Sequence, residues 1–400
     1  MSAAWPIVAF GEIVENCNAR RVPVKSADRE KRAGAYPYYG ASGIIDTIDD
    51  YLFDGEHLLI GEDGANLLAR STPIAFRAQG KFWVNNHAHI VRFNGKAELR
   101  FLEHFFTTLD LAPYVTGSAQ PKLTRENLDR IPVPLPHLPE QRRIADILDK
   151  ADAICRKRKQ AITLTEDLLR SAFLEMFGDP VTNPKGWRID SLANVVQEGT
   201  IVTYGIVQAG PHVEDGVPYI RTGDIQNGRI LGAQLLRAAP EIAAKYKRSE
   251  VRSGDLVMSI RATVGTVAVV PAELDGANLT QGTARIAPGP LVEQSFLLAQ
   301  LRAPGMQQWF TQNVKGATFK EITLGTLRTA PIMLPPLELQ QKFSAIAKRL
   351  SALSDRQQQA EVTANHLFSS LVDRAFRGEL TAPSTSKKKQ LDMFEGLGGE

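Results

Sequence analysis

Leu135-Pro136-His137-Leu138-Pro139-Glu140-Gln141 returns as Leu334-Pro335-Pro336-Leu337-Glu338-Leu339-Gln340, 199 positions later, and each copy opens a long helical pattern. The same offset pairs Gly117 with Gly316, Leu123 with Ile322, Leu128 with Leu327, Pro132 with Pro331, Ile147 with Ile346 and Phe177 with Phe376. A period of this length lies far beyond the roughly 20 to 50 residues of a solenoid repeat and fits duplication of a domain together with its helix. One chain therefore carries two similar units, which allows two similar surfaces to face one long ligand.

The first helix is expected from Pro139-Glu140, where a proline in the first turn loses no hydrogen bond, to the Gly178-Asp179-Pro180 stop. Ile144, Leu148, Ala151, Cys155, Ile162, Leu169, Ala172 and Met176 recur at steps of three and four, interrupted by Arg158 and Thr165. The second helix carries Phe343, Ala347, Leu350, Ala364, Phe368, Leu371 and Ala375 in a matching seam and ends at Arg377-Gly378. A helix of about 39 residues would be roughly 60 Å long, which suits a spacer and an antiparallel intramolecular coiled coil.

The segments ahead of the helices read as short β-rich runs punctuated by glycine. Glu56–Gly61 and Trp83-Val84 stand in the first unit, Asp255–Ile260 and Thr266–Val270 in the second. Each is followed by a shorter helical stretch, Leu99–Leu111 and Val292–Arg302. The heads are thus mixed α/β domains, and they differ in sequence far more than the helices do. The expected division is 1–137 and 179–336 for the heads, 138–178 and 337–378 for the helices, and 379–400 for a flexible tail.

With 43% hydrophobic and 23% charged residues the composition is that of a soluble globular protein. No apolar run approaches the ~20 residues of a membrane span, and no secretory signal is visible in Met1–Phe10, which points to the cytoplasm. Cys17 and Cys155 are too few for a disulfide framework or a zinc knuckle. A net charge of +3 permits a polyanionic partner without requiring one. Positive charge is concentrated locally at Arg142-Arg143, Arg156–Lys159, Lys245–Arg248 and Lys387–Lys389.

Two unlike domains, each closed by a glycine-containing segment (Gly117–Leu123 and Gly316–Ile322), a proline-containing strand, a Leu-Pro-x-Leu-x-x-Gln turn and a long helix, resemble the type I restriction-modification specificity subunit. The openings Trp5-Pro6-Ile7-Val8 and Gly186-Trp187-Arg188-Ile189 and the run Gly254–Gly265 fit as well. The resemblance implies an α+β fold with two target-recognition domains on two long antiparallel helices, related by a pseudo-two-fold axis. It implies that each domain reads half of a split sequence in double-stranded DNA while the helices set the spacing. It further implies a chain without a catalytic centre or cofactor of its own. S-adenosylmethionine, ATP and magnesium would belong to partners, two methyltransferase subunits and the restriction translocase subunits.

The residues agree with a missing catalytic centre. No Gly-x-x-x-x-Gly-Lys-Ser/Thr phosphate cradle occurs. Asn183-Pro184-Lys185-Gly186 lacks the second proline and the aromatic of an adenine methyltransferase motif and reads as a loop. His87-Ala88-His89 has no cysteine or carboxylate cluster beside it to complete a metal site. Reading DNA instead needs phosphate anchors and base-edge donors and acceptors. The candidates are Asn66, Asn85, Asn86, His87, Ser118, Gln120 and Lys122 in the first domain, and Tyr204, Arg221, Thr222, Arg261, Thr263, Gln281, Thr318 and Lys320 in the second. Arg221 and Arg261 suit guanine; asparagine and glutamine suit adenine. The rival readings are an autonomous metal-dependent nuclease using Glu62, Asp63 and Asp255, a coiled-coil adaptor that binds only proteins, and a specificity subunit of a related restriction system.

Overall fold

The computed structural model describes residues 5–117, 120–316 and 320–380. The chain divides into two compact units, one of residues 1–158 with 360–400 and the other of residues 159–359. Each long helix, Leu138–Phe177 and Leu337–Phe376, is therefore shared, half to each unit. Both run as the apolar seams predict. Beyond residue 380 the expected tail lies outside the described residues.

In the first unit a four-stranded antiparallel sheet is ordered Val14–Asn16, Ala88–Phe93, His57–Gly61, Ala75–Ala78. His57–Gly61 is buried along its whole length, which is why it reads as a continuous apolar run rather than as an alternation. A second sheet is ordered Gly43–Ile48, Tyr36–Gly40, Trp83–Val84, with the last pair parallel. Ile7–Ala9 pairs with Pro132–Pro134 just ahead of the first long helix. The Leu99–Thr108 helix turns Phe101, Leu102, Phe105 and Phe106 inward. It stops three residues before the expected end, where Leu109 turns extended, and the Arg70 guanidinium satisfies the carbonyls left free there, Phe106 O at 2.6 Å and Thr107 O and Leu109 O at 2.7 Å. Phe10, Leu58, Ile60, Phe101 and Phe106 form one core with Ile144 and Leu148 from the start of the first long helix and Val372 and Ala375 from the end of the second. The helices enter this unit in opposite directions and are part of its core.

The second unit repeats this plan. Its central sheet is ordered Thr203–Tyr204, Thr283–Ile286, Leu256–Ser259, Val267–Val269. A second sheet, Arg237–Ala238, Val217–Ile220, Asn278–Leu279, again has a parallel pair, and Arg188–Ser191 pairs with Pro331–Leu334. Heads that diverge in sequence are thus alike in strand order. Phe173 and Phe177, at the end of the first long helix, close over Phe296 of the head and Phe343 of the second long helix. Thr165, which breaks the apolar seam, is buried, with its hydroxyl 3.0 Å from Gln357 Oε1 on the facing helix. A polar contact of this kind, with Thr165 buried and Gln357 half-buried, favours one register between two helices.

The duplicated turn has a structural reason. Gln141 is buried, accepts the Glu98 N–H at 2.8 Å and donates to Lys96 O at 3.0 Å and Pro136 O at 2.8 Å. Gln340 does the same in the second unit, accepting from Glu293 N at 2.9 Å and donating to Leu291 O at 3.1 Å and Pro335 O at 2.9 Å. Each glutamine thereby bolts the start of a long helix to the loop that leads into the head's own helix. The helix ends follow expectation too. Gly378 takes φ +75°, and the bonds from Gly378 N to Ala375 O and Glu379 N to Arg374 O close a Schellman turn.

Candidate nucleic-acid interface

In the first unit the candidate residues gather where the central strand ends at Gly61 and the chain turns through Glu62 and Asp63. The Asn85–His87 turn and the hairpin of Thr116 with Lys122 come to the same edge, through the bonds Glu62 N to His87 O and Leu123 N to Glu62 O. His87 is half-exposed, and its Nδ1 lies 2.8 Å from Asp63 Oδ2. Lys122 Nζ stands 3.3 Å from Glu62 Oε1 with half of its side chain in solvent. Asn86 and Gln120 are exposed. Asn85 is buried and uses its Oδ1 on the His87 N–H at 2.8 Å. Asn66 is committed to its own loop, donating to Thr72 O and accepting from Ser71 Oγ and Thr72 N. Ser118 lies outside the described residues.

Arg21 organises this edge and carried no signal in the sequence, because its partners are distant along the chain. Its Nη1 donates to Glu62 Oε2 at 2.5 Å and to Ala88 O at 2.8 Å. Burial alone would raise the Glu62 carboxyl, but Arg21, with His89 and Lys122, outweighs it and holds the group below its ordinary value. A carboxylate so neutralised is poorly placed to hold a catalytic metal. His89 is buried between Asn18 Nδ2 and Leu123 O, each at 2.8 Å, so its Nε2 carries the proton and its Nδ1 accepts. It bridges the sheet to the Lys122 hairpin and is no metal ligand in this arrangement. Among the described residues no group of three or more histidines, cysteines, aspartates or glutamates is disposed to hold a metal.

His89 also makes the first unit sensitive to acid. Burial pushes its pKa below the ordinary 6.5, as it does for His57. The unfolded chain therefore binds the protons first, and stability that is complete above about pH 6.5 falls as pH drops through and below that value. In a His89→Gln variant the opening free energy of the first unit's strands, read by hydrogen exchange with intrinsic rates divided out, should depend less on pH between 7.5 and 5.5. An unchanged slope would contradict this account.

In the second unit the same edge is built from other residues. Ile260 N bonds Gly282 O, Ala262 N bonds Lys320 O at 3.1 Å, and Lys315 and Glu321 form the hairpin that corresponds to Thr116 and Lys122. Gly282 is hemmed in, since a Cβ there would stand 3.0 Å from Thr222 Cγ2 and 3.9 Å from Arg261 Cβ. Thr222, Gln281, Arg261, Thr263 and Lys320 thus form one ridge, with Thr263 and Lys320 exposed and Tyr204 exposed on the neighbouring strand. Arg221 forks onto Asp224, with Nε to Oδ2 at 3.0 Å and Nη2 to Oδ1 at 2.8 Å. Arg261 Nε lies 3.1 Å from Glu321 Oε2. Both forks considered for guanine are held by carboxylates in this structure. Lys122 and Glu321 occupy corresponding hairpin positions, so the ion pair at this edge is reversed in sign between the units. Thr318 lies outside the described residues.

The carboxylates of the nuclease reading have structural partners. Asp255, in the second unit, accepts from Arg285 Nε at 2.6 Å and from Arg252 N at 2.8 Å. The Asn183 loop is structural as well. Asn183 closes on Trp187 through both ends of its amide, and Lys185 Nζ donates to Met176 O at 2.9 Å, near the end of the first long helix.

Two heads of one strand order, each with a glutamine-bolted long helix, define a duplicated recognition scaffold. The chain matches the type I restriction modification DNA specificity domain over residues 3–164 and 185–364, and it belongs to that family. It is 29% identical over 357 residues to a putative type I restriction enzyme specificity subunit of Haemophilus influenzae, covering 86% of this chain and 87% of that one. It is 30% identical over 288 residues to the EcoBI specificity subunit of Escherichia coli, covering 65% of this chain and 60% of that one. The crystal structure of a type I restriction-modification S subunit from M. genitalium shares the fold, with a TM-score of 0.58 at 13% identity over 93% of this chain and 96% of that one.

Proposed function

We propose that this chain is the DNA-reading subunit of a type I restriction-modification complex, each head recognising one half of a split target. The observation that carries the reading is the repetition of one polar edge at the end of the central strand in both units. At each edge a hairpin, Thr116 with Lys122 or Lys315 with Glu321, meets the turn after the buried strand. The residues exposed there differ, which is what two half-sites of different sequence require. Within the proposal the two helices set the spacing between half-sites, and residues 1–137 and 179–336 are the recognition domains.

Catalysis then belongs to partners. Methyltransferase subunits, two per chain, would bring S-adenosylmethionine, and restriction subunits would bring ATP and magnesium. Apolar side chains left exposed on the helices support partner docking: Leu164, Leu168 and Leu353 in the second unit, and Ile154, Val362 and Leu367 in the first. No described helix is long and apolar enough to cross a membrane, and the proposed work on genomic DNA places the complex in the cytoplasm.

Mapping methylated adenines in host DNA with and without this gene tests the reading, since a bipartite motif should vanish with the gene. Arg261→Ala should relax the preference at a single base by about 1 to 3 kcal/mol, whereas Lys122→Ala or Lys320→Ala should weaken every sequence alike. DNA titrations of the three variants against matched and scrambled duplexes measure this. Equal effects on both duplexes in all three would contradict the assigned roles.

A further inference from the structure

The two heads differ in the connection between the edge strand of the second sheet and the central strand of the first. In the first unit it is residues 49–56, with Asp49, Asp50, Asp54 and Glu56 as its charges. In the second unit it is residues 239–255, about twice as long, folded into a short helix, Pro240–Ala244, and a tight turn, Lys247–Ser249. Lys245, Lys247 and Arg248 are all exposed on it. None of the three has an ion-pair partner among the described residues; Glu250 is held by Arg252 at 2.7 Å and Asp255 by Arg285 at 2.6 Å, while the exposed Glu241, four residues before Lys245, does not pair with it.

The turn is held by a buried network. Ser249 Oγ lies 2.7 Å from Asn278 Oδ1, which also accepts the Leu279 N–H at 2.8 Å. Asn278 Nδ2 reaches back to Ala243 O at 3.3 Å and Tyr246 O at 3.4 Å, on either side of Lys245. Ser249 and Asn278 are 0% and 2% exposed. The turn packs beside the Thr203–Tyr204 strand, and Gly205 N bonds Thr280 O, the residue before Gln281. Three unpaired cations therefore stand on a fixed turn at one end of the ridge that runs through Gln281, Thr222 and Arg261.

We propose that Lys245, Lys247 and Arg248 form a phosphate anchor specific to the second head, binding the DNA backbone without regard to sequence, with Ser249 and Asn278 as positioning residues. Unpaired cations on a fixed turn fit a row of phosphates better than a protein partner, which would have to supply a matching acidic patch. Their place beside the ridge lets the anchor set the register in which the ridge meets base edges. This inference rests on the chain being the DNA-binding subunit.

The test uses the full chain with all three changed, Lys245→Gln, Lys247→Gln and Arg248→Gln, and compares it with a charge-conserving variant, Lys245→Arg, Lys247→Arg and Arg248→Lys. Three phosphate contacts account for a slope of about 2.7 in log affinity against log salt, so a fourfold rise in salt should cost the glutamine variant about 40-fold less affinity than wild type. Matched and scrambled duplexes should weaken by the same factor, and the charge-conserving variant should keep the wild-type slope. A glutamine variant that binds with the wild-type salt slope overturns the anchor and leaves the DNA-binding reading intact. Wild-type chain that shows no salt-dependent DNA binding overturns both.

Discussion

Replacing Phe177 with alanine is expected to destabilise the unit of residues 159–359 by about 3 to 5 kcal/mol. The ring is fully buried where the head and both long helices meet, with centroids 5.2 Å from Phe173, 4.8 Å from Phe296 and 5.6 Å from Phe343. Truncation removes its own burial and strips an edge-to-face partner from Phe296 and Phe343 and a tilted one from Phe173. The backbone limits how far the site collapses, because Phe177 O accepts the Trp187 indole N–H at 2.9 Å and Gly178, at φ +81°, ends the helix there. Hydrogen exchange gives a readout for each unit separately, which a single melting curve of a two-unit chain does not. Faster exchange should appear at 169–177 and 339–347 while the strands of the first unit keep their protection. A loss below about 1.5 kcal/mol would mean that the cluster repacks and does not join the head to the helices.

Such a joint was only half legible in the sequence. The seams of the two helices were readable because a 3.6-residue period is local, and their starts and stops carried proline and glycine signals. The shared topology of the heads was not. Its strands are as short as the two residues of Trp83–Val84, and connections such as 49–56 and 239–255 differ so much in length that the register is lost between the repeats. The closing hairpin and the segment after it kept the 199-residue offset, which aligns Lys122 with Glu321 and leaves Lys320 one position out of step. What surrounds those lysines depends on contacts far apart in sequence. Arg21 reaches Glu62, and Asn18 reaches His89, through the fold rather than through any motif. Arg221 with Asp224 is the exception: the capping aspartate is three residues on, so its claim on the guanidinium is local in sequence.

The sign reversal at the hairpin bears on how the heads differ in use. In the first unit the hairpin presents a cation, Lys122, and the strand end an anion, Glu62; in the second the strand end presents Arg261 and the hairpin Glu321. The paired cation thus sits on the hairpin in the first head and on the strand end in the second, where Lys320 beside Glu321 is a further exposed cation. Duplication of the scaffold therefore does not force the two heads to meet DNA with the same side chains.

Gln340→Ala is expected to destabilise the second unit, and Gln141→Ala the first, by about 2 to 4 kcal/mol each. The estimate follows from one buried carbonyl losing its side-chain partner, at about 1 to 3 kcal/mol, and two part-buried groups that water can reach losing theirs at a smaller cost. For Gln340 these are the Glu293 N–H and the carbonyls of Leu291 and Pro335. Gln340→Glu separates the latch from simple volume. Glutamate keeps the acceptor for Glu293 N–H, but ionised it turns an oxygen on two carbonyls that need a donor. Burial and those carbonyls raise its folded pKa, so it folds best as the neutral acid. Its stability is then present below the unfolded value of about 4.3 and is lost as pH rises through the folded value. The deficit of Gln340→Glu against wild type should therefore shrink on acidification from pH 7 towards pH 5, read by urea midpoints of the two chains at each pH, while that of Gln340→Ala stays constant. A deficit of Gln340→Glu that does not change with pH would show that the amide's donors do not hold the helix start to the head, leaving the return of Leu-Pro-x-Leu-x-x-Gln without its physical cause.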